Sequence, residues 1–129
     1  MMKFEIIPNK SVGEVYFGME RSLVRSILDG FQKEFRKSKF SKNTTDDFGY
    51  CHVFYDVENK CNAIEFLGDS EVVYGNRNLF EISVDELIDI FSDIREDYGS
   101  YISKEYSIGI IFEENKIEAI LIGCKGYYY

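Results

Sequence analysis

The stretch GYCHVFYDVENKCNAIEFL, residues 49–67, decides the fold. Its flanks, 49–57 and 61–67, are rich in aromatic and β-branched residues, which favour strands. Between them, Glu58-Asn59-Lys60 suits a tight turn, because asparagine tolerates a left-handed backbone. The stretch therefore predicts a β-hairpin.

Part of this hairpin recurs later in the chain. Glu58-Asn59-Lys60-x-x-Ala63-Ile64 returns as Glu114-Asn115-Lys116-x-x-Ala119-Ile120, and an apolar helical stripe precedes each copy. The matching order predicts a duplicated helix-loop-hairpin unit, with pseudo-repeats over about 19–68 and 82–124. Glu-Asn-Lys is also ordinary turn chemistry, so chance similarity between two hairpins stays open.

The remaining elements complete a fold prediction. Strand-like segments 3–7 and 12–17 precede a helix over 20–28, and a strand near 71–74 follows the turn Gly68-Asp69-Ser70. A second helix begins at the capping box Ser83-x-x-Glu86 and is expected to reach Glu96 or Asp97. Its apolar stripe comprises Val84, Leu87, Ile88, Phe91 and Ile94. Residues 31–47 are ambiguous, and 106–112 with 117–122 form the second hairpin.

These elements predict one α+β domain over 1–129. We expect two layers, an antiparallel sheet with both helices packed on one face. A chain of 129 residues with 45% hydrophobic and 29% charged residues has the size and composition of a single globular domain.

Charge is unevenly distributed along the chain. The net charge of −8 disfavours nucleic acid and anionic membranes as partners. Residues 20–42 hold seven basic and three acidic residues, whereas 43–129 hold six basic and eighteen acidic residues. This uneven distribution of charge indicates either a basic binding partner or an ordinary solvated surface.

The absence of membrane segments and catalytic motifs from the sequence predicts a cytoplasmic binding protein. No apolar run approaches the about 20 residues of a membrane helix, and three cysteines without C-x-x-C spacing indicate reduced thiols. His52 is the single histidine, and strand alternation separates it from Cys51. With no phosphate loop, zinc spacing or nucleophile motif, we expect no enzyme, catalytic residue, cofactor or metal, although a carboxylate-only metal site stays open.

Acidic residues dominate the predicted second helix. The row comprises Asp85, Asp89, Asp93, Glu96 and Asp97. Like charges at i, i+4 destabilise a helix by about 0.2–0.5 kcal/mol each, and the last acids face the negative end of the helix dipole. We expect the row to meet a basic partner. Alternatively, the basic segment 33–42 neutralises it within the fold.

Tyrosines supply candidate anchors for such a partner. Tyr50, Tyr98 and Tyr101 are predicted to join the acidic row in a recognition surface, because tyrosine offers a large amphipathic contact area. Burial of several tyrosines in the core is the alternative. The role of the C-terminal run, residues 127–129, stays open.

Local and general resemblances support a binding role. The segment that leads into the first predicted helix has Gly18-Met19, then Val24 after four intervening residues and Leu28 after three more. This spacing resembles the helix entry of many small bacterial α+β proteins, including β-lactamase inhibitory protein and the SmpA/OmlA lipoproteins. The duplicated unit is also similar to the tandem repeat of β-lactamase inhibitory protein. In type, a small acidic, tyrosine-rich protein resembles bacterial toxin-immunity proteins, including those of contact-dependent growth inhibition.

The sequence as a whole predicts an immunity protein. It would neutralise a basic, nuclease-type toxin domain by stoichiometric occlusion through its acidic, tyrosine-rich surface. A small-molecule-binding or regulatory module is the alternative, and the oligomeric state stays open.

Overall fold

The computed structural model describes residues 2–68 and 70–128. Asp69, in the predicted turn before the strand near 71, and Tyr129, in the C-terminal tyrosine run, lie outside the described residues. Within the described part, the chain forms thirteen strands, two α-helices and a short 3-10 helix at Leu79–Glu81.

The predicted two-layer α+β fold is wrong. The protein is mostly β, with 47% strand and 13% helix, and its strands form two sheets rather than one. The second helix stops seven residues short of Asp97, and polar segments that lack an apolar alternation become strands. Because of both differences, residues that were predicted to be helix or loop lie in strands of the structure.

The smaller sheet has five strands in the order β3-β2-β1-β8-β9. Its members are β1 (Met2–Ile7), β2 (Ser11–Val12), β3 (Val15–Tyr16), β8 (Ser70–Tyr74) and β9 (Arg77–Asn78). Central strands β1 and β8 pair in parallel, with Phe4 opposite Val72. The sheet therefore joins the beginnings of the two halves of the chain.

The larger sheet has eight antiparallel strands in the order β10-β11-β12-β13-β7-β6-β5-β4. In chain order they are β4 (Lys33–Phe35), β5 (Thr45–Asp47), β6 (Cys51–Tyr55), β7 (Cys61–Phe66), β10 (Arg95–Asp97), β11 (Ser100–Ser103), β12 (Ile108–Glu113) and β13 (Lys116–Gly123). Both predicted hairpins are confirmed, as β6–β7 and β12–β13. Two four-stranded meanders thus meet at the β7–β13 pair.

Each meander follows one helix, α1 (Arg21–Ile27) or α2 (Val84–Ile90). The unit in each half is therefore a helix and four strands, not a helix and one hairpin. Asn59 and Asn115 occupy the same left-handed conformation, each with φ 67°, in the two hairpin turns. Duplication of the chain stays a prediction, to which the common order of elements adds support.

The capping box of α2 is confirmed, but its predicted length is wrong. The Ser83 side chain accepts a hydrogen bond from the Glu86 backbone N–H, and the Glu86 carboxylate accepts one from Ser83. Phe91 then leaves the helical backbone, with φ −115° and ψ 89°. Continuing the helix would place Asp93 at the negative end of the dipole, which favours termination before it.

The hydrophobic core lies against the inner face of the eight-stranded sheet. Val53, Ile64 and Ile120 on that face are buried with Val24 of α1 and Leu87 of α2. Residues of β1 and β8 belong to the same cluster, so one core joins both sheets and both helices.

The tyrosine tail packs on the outer face of the larger sheet. Tyr127 and Tyr128 contact an apolar strip that comprises Phe54, Ala63 and Leu121. A β-carbon at Gly123 would lie 2.6 Å from Tyr127, and a β-carbon at Gly109 would clash with the Tyr128 hydroxyl. Both glycines therefore provide space for the two aromatic rings.

Candidate functional site

The structure divides the predicted acidic row among three elements. Asp85 and Asp89 are exposed on α2, Glu96 and Asp97 are exposed on the edge strand β10, and Asp93 lies in the turn between them. The prediction of one continuous helical ridge is wrong, because the helix ends before Asp93. Four of the five carboxylates nonetheless face solvent.

Asp93 has a structural role. The Ser103 hydroxyl donates to one carboxylate oxygen at 2.6 Å, and the Glu105 backbone N–H donates to the other at 2.9 Å. Burial alone would raise the pKa of Asp93, but these hydrogen bonds outweigh burial and lower that pKa. Asp93 thus ties the turn before β10 to the turn after β11.

Two other predicted residues meet at a cleft of about 450 Å³. Glu96 of β10 is directly opposite Tyr101 of β11, so both side chains lie on the same face. The Tyr101 and Phe112 rings pack edge to face with centroids 5.4 Å apart, and Glu114 in the β12–β13 turn borders the same space. We call this space, lined by Glu96, Tyr101, Phe112 and Glu114, the acidic cleft.

The other predicted tyrosines lie apart from each other. Tyr98 is fully exposed in the β10–β11 turn, directly after Asp97, and has a left-handed backbone with φ 49°. Tyr50 belongs to the first half, where it stacks on Phe4 and donates a hydrogen bond to the Asp29 carbonyl. The structure therefore groups Tyr98 and Tyr101 with the acidic residues and separates Tyr50 from them.

Exposed carboxylates lie on α2, on β10 and in the β12–β13 turn, three elements that border the acidic cleft. We define the acidic surface as Asp85, Asp89, Glu96, Asp97 and Glu114, of which sequence analysis did not single out Glu114. Within residues 2–68 and 70–128, none of the five forms an ion pair. The stretch 79–118 holds eleven acidic and three basic residues, a balance equal to that of the whole chain.

The basic segment 33–42 lies at the opposite edge of the same sheet. It begins in β4, which is seven strand spacings from β10, about 34 Å along the sheet at about 4.8 Å per spacing. Its side chains make local contacts instead: Lys37 lies over the Phe54 ring, and Arg36 donates to the Ser41 carbonyl. In the described part of the chain, no ion pair links this segment to the acidic surface.

A buried polar network in the first half is a feature that the sequence reading missed. Asp46 is fully buried and accepts a bidentate pair of hydrogen bonds from Arg25, at 2.8 and 2.7 Å, and another from the Tyr55 hydroxyl at 2.9 Å. The hydrogen bonds to Asp46 raise the pKa of Arg25, and burial raises the pKa of Tyr55. The i, i+4 spacing of Arg21 and Arg25 placed both on one helix face, but their partner Asp46 lies in a segment that reads as loop.

The single histidine and the buried Cys51 lie on opposite faces of the larger sheet. His52 lies 3.5 Å from Asp47 and 3.7 Å from Glu65 on the outer face, whereas Cys51 is buried on the inner face. In residues 2–68 and 70–128, no three His, Cys, Asp or Glu side chains are arranged to hold a metal ion. Burial raises the pKa of the Cys51 thiol, which opposes its ionisation as a nucleophile.

The carboxyl groups of Glu113 and Glu118 should make the thermal stability of the protein depend on pH. A hydrogen bond with Glu113 and the charge of that neighbour raise the pKa of Glu118 above its ordinary 4.5. Because an acid with a raised pKa binds its proton more readily in the fold, this pair favours folding below pH 4.5 and opposes it once both groups ionise. Glu118→Gln should raise the thermal midpoint at pH 7.

Thermal unfolding from pH 3.5 to 8 measures this effect. The advantage of Glu118→Gln should shrink as the pH falls through the raised pKa. Glu105→Gln, an exposed change in another turn, serves as the control. An equal effect of Glu118→Gln at every pH would contradict the raised pKa of Glu118.

No helix in the described residues has the length and apolar character needed to cross a membrane. Comparisons with protein families, with curated proteins and with solved structures found no match to the chain. Function is therefore inferred from the geometry and charge of the acidic surface.

Proposed function

We propose that the protein binds a basic protein domain through its acidic surface and acts as an immunity protein that neutralises a basic, nuclease-type toxin domain. The separation of charge carries this proposal. The basic segment begins in β4, at the opposite edge of the larger sheet from β10, and among the described residues it forms no ion pair with the acidic surface. A surface with unpaired like charges is suited to a partner of opposite charge.

Binding would proceed in two physical stages. The acidic surface steers the basic domain to the β10 end, which raises the association rate at low ionic strength. Tyr98, fully exposed beside Asp97, then provides a contact area that is buried in the complex. Neutralisation follows by occlusion of the toxin's own basic substrate-binding surface, and the immunity protein needs no catalytic group.

A small-molecule role has weaker structural support. Ligand pockets bury most of their ligand and are largely enclosed. Clefts of about 370, 570, 450 and 400 Å³ among the described residues all open onto solvent. Open clefts of this kind are better suited to side chains of a protein partner.

Binding assays with the basic products of neighbouring genes test the proposal. Asp89→Lys combined with Asp97→Lys should weaken a 1:1 complex by at least about tenfold, which corresponds to about 1.4 kcal/mol. The matched control combines Glu5→Lys with Glu14→Lys, two exposed carboxylates in the five-stranded sheet region, and changes the net charge equally. Calorimetry at two salt concentrations and assays of toxin activity supply the measurements.

The results would contradict the proposal in two ways. An equal loss of affinity in both double variants would mean that net charge, not the acidic surface, governs binding. Absence of any salt-sensitive complex with the basic neighbouring-gene products would remove the immunity role itself.

A further inference from the structure

The two halves of the chain place similar clefts beside their helices. One cleft lies between the start of α1 and the Glu58-Asn59 turn, and the acidic cleft lies between the start of α2 and the Glu114-Asn115 turn. The first residue of α1 is Arg21, and the first residue of α2 is Val84. An arginine in one half therefore corresponds to a short apolar side chain in the other.

In the first half, the surroundings of Arg21 bind its guanidinium group on several sides. Arg21 lies over the Tyr55 ring at 4.1 Å and forms an ion pair with Glu34 at 3.1 Å. Its side chain is only 10% exposed, and the Thr44 hydroxyl and carbonyl accept two further hydrogen bonds at 2.8 Å. The buried Asp46 carboxylate lies 3.6 Å from the same guanidinium, so the fold contains one site for an arginine side chain.

In the second half, part of these surroundings recurs without an arginine. The buried carboxylate does not recur, because Glu34 is opposite Asp46 across β4–β5, whereas Glu96 is opposite Tyr101 across β10–β11. Glu96 is the middle residue of edge strand β10, as Glu34 is of edge strand β4. Phe112 lies near the end of β12, as Tyr55 lies at the end of β6. Among the described residues that line the acidic cleft, there is no lysine or arginine.

The nearest basic side chain on β10 is engaged elsewhere. Arg95 precedes Glu96 on the strand, so its side chain leaves on the opposite face. Its guanidinium donates to the carbonyls of Asp93 and Ile94. The cleft carboxylates, Glu96 and Glu114, therefore remain available to a cation from outside the chain.

We propose that the acidic cleft is a receptor for an arginine side chain of the basic partner. This inference rests on the proposed function and specifies where the partner is anchored. A guanidinium can donate to a carboxylate while it lies over an aromatic ring, as Arg21 does through one N–H group to Glu34 and over the Tyr55 ring. The volume of about 450 Å³ is sufficient for one long side chain.

The first test places the arginine in the chain itself. Val84→Arg introduces at the start of α2 the side chain that Arg21 provides at the start of α1. Glu96→Gln should then lower the urea midpoint more in the Val84→Arg background than in the original protein, because the new ion pair is lost. Equal effects of Glu96→Gln in both backgrounds would overturn the proposal.

A second measurement uses the unaltered protein. Acetyl-Gly-Arg-Gly-amide is titrated while the backbone amide signals are followed by nuclear magnetic resonance. The signals of Gly99 and Asn115, which border the cleft, should shift more than with acetyl-Gly-Gln-Gly-amide. No difference between the two peptides at these residues would also overturn the proposal.

The third test uses the basic partner, once its complex is established. Val84→Arg should weaken the complex at least about tenfold, because its own arginine occupies the cleft. Val57→Arg, at a residue that is 69% exposed in the first half, controls for the added charge. If Val84→Arg leaves the complex unaffected, the arginine site is overturned and the immunity role is retained. If Val84→Arg and Glu96→Gln are coupled in urea unfolding but no basic partner binds the protein, the immunity role is overturned and the arginine site is retained.

Discussion

Replacing Asp46 with alanine is expected to lower the free energy of unfolding by about 3–5 kcal/mol, because it leaves a partly buried guanidinium without its carboxylate. Asp46 accepts three hydrogen bonds, two from Arg25 and one from Tyr55, and its side chain is fully buried. Removal of the carboxylate also leaves the buried Tyr55 hydroxyl without a partner. A loss of this size is a large fraction of the stability of a typical domain.

Urea unfolding of Asp46→Ala and Glu34→Ala provides the measurement and its control. Glu34 pairs with the same two arginines, but half of its side chain is exposed. Solvent screening therefore reduces the contribution of Glu34, and its variant should lose no more than about 1 kcal/mol. Equal losses of unfolding free energy in the two variants would contradict the larger stabilisation expected from the buried Asp46 carboxylate.

The hairpins could be predicted from the sequence because their strands carry a clear pattern. In β6 and β7, alternating residues such as Val53 and Ile64 face the core, and Asn59 supplies the left-handed turn. The edge strands β4 and β10 lack such a pattern. Arg95, Glu96 and Asp97 are all exposed and are held in the sheet by backbone pairing with β11, which leaves no apolar periodicity to detect.

The candidate site was predictable in part for a similar reason. Exposed carboxylates such as Asp89 and Glu96 can be identified from charge alone, whereas the partners of Asp93 depend on long-range contacts. Ser103 follows Asp93 by ten residues and meets it only because β10 and β11 form a hairpin. Charge reversal at Asp93 would therefore damage the fold and would not report on partner binding.

Phe91→Ala is expected to lower the free energy of unfolding by about 3–5 kcal/mol, as large aromatic truncations in a core do. Phe91 follows α2 directly and is fully buried. Its ring packs on Tyr74 of β8 with centroids 5.5 Å apart and on Tyr106 with centroids 5.1 Å apart. One side chain thus connects the end of α2 with β8 and with the β11–β12 turn, so its removal opens a cavity where these elements meet.

Ile88→Ala is the matched control, because the sequence pattern assigns Ile88 and Phe91 to the same apolar stripe of α2. In the structure the helix ends at Ile90, and Ile88 is 48% exposed. The Ile88→Ala variant should therefore change the free energy of unfolding by about 0.5 kcal/mol or less. Urea unfolding of both variants decides between the two descriptions of α2: a long helix that buries the whole stripe requires a large loss at Ile88, whereas a helix that ends at Ile90 confines the large loss to Phe91.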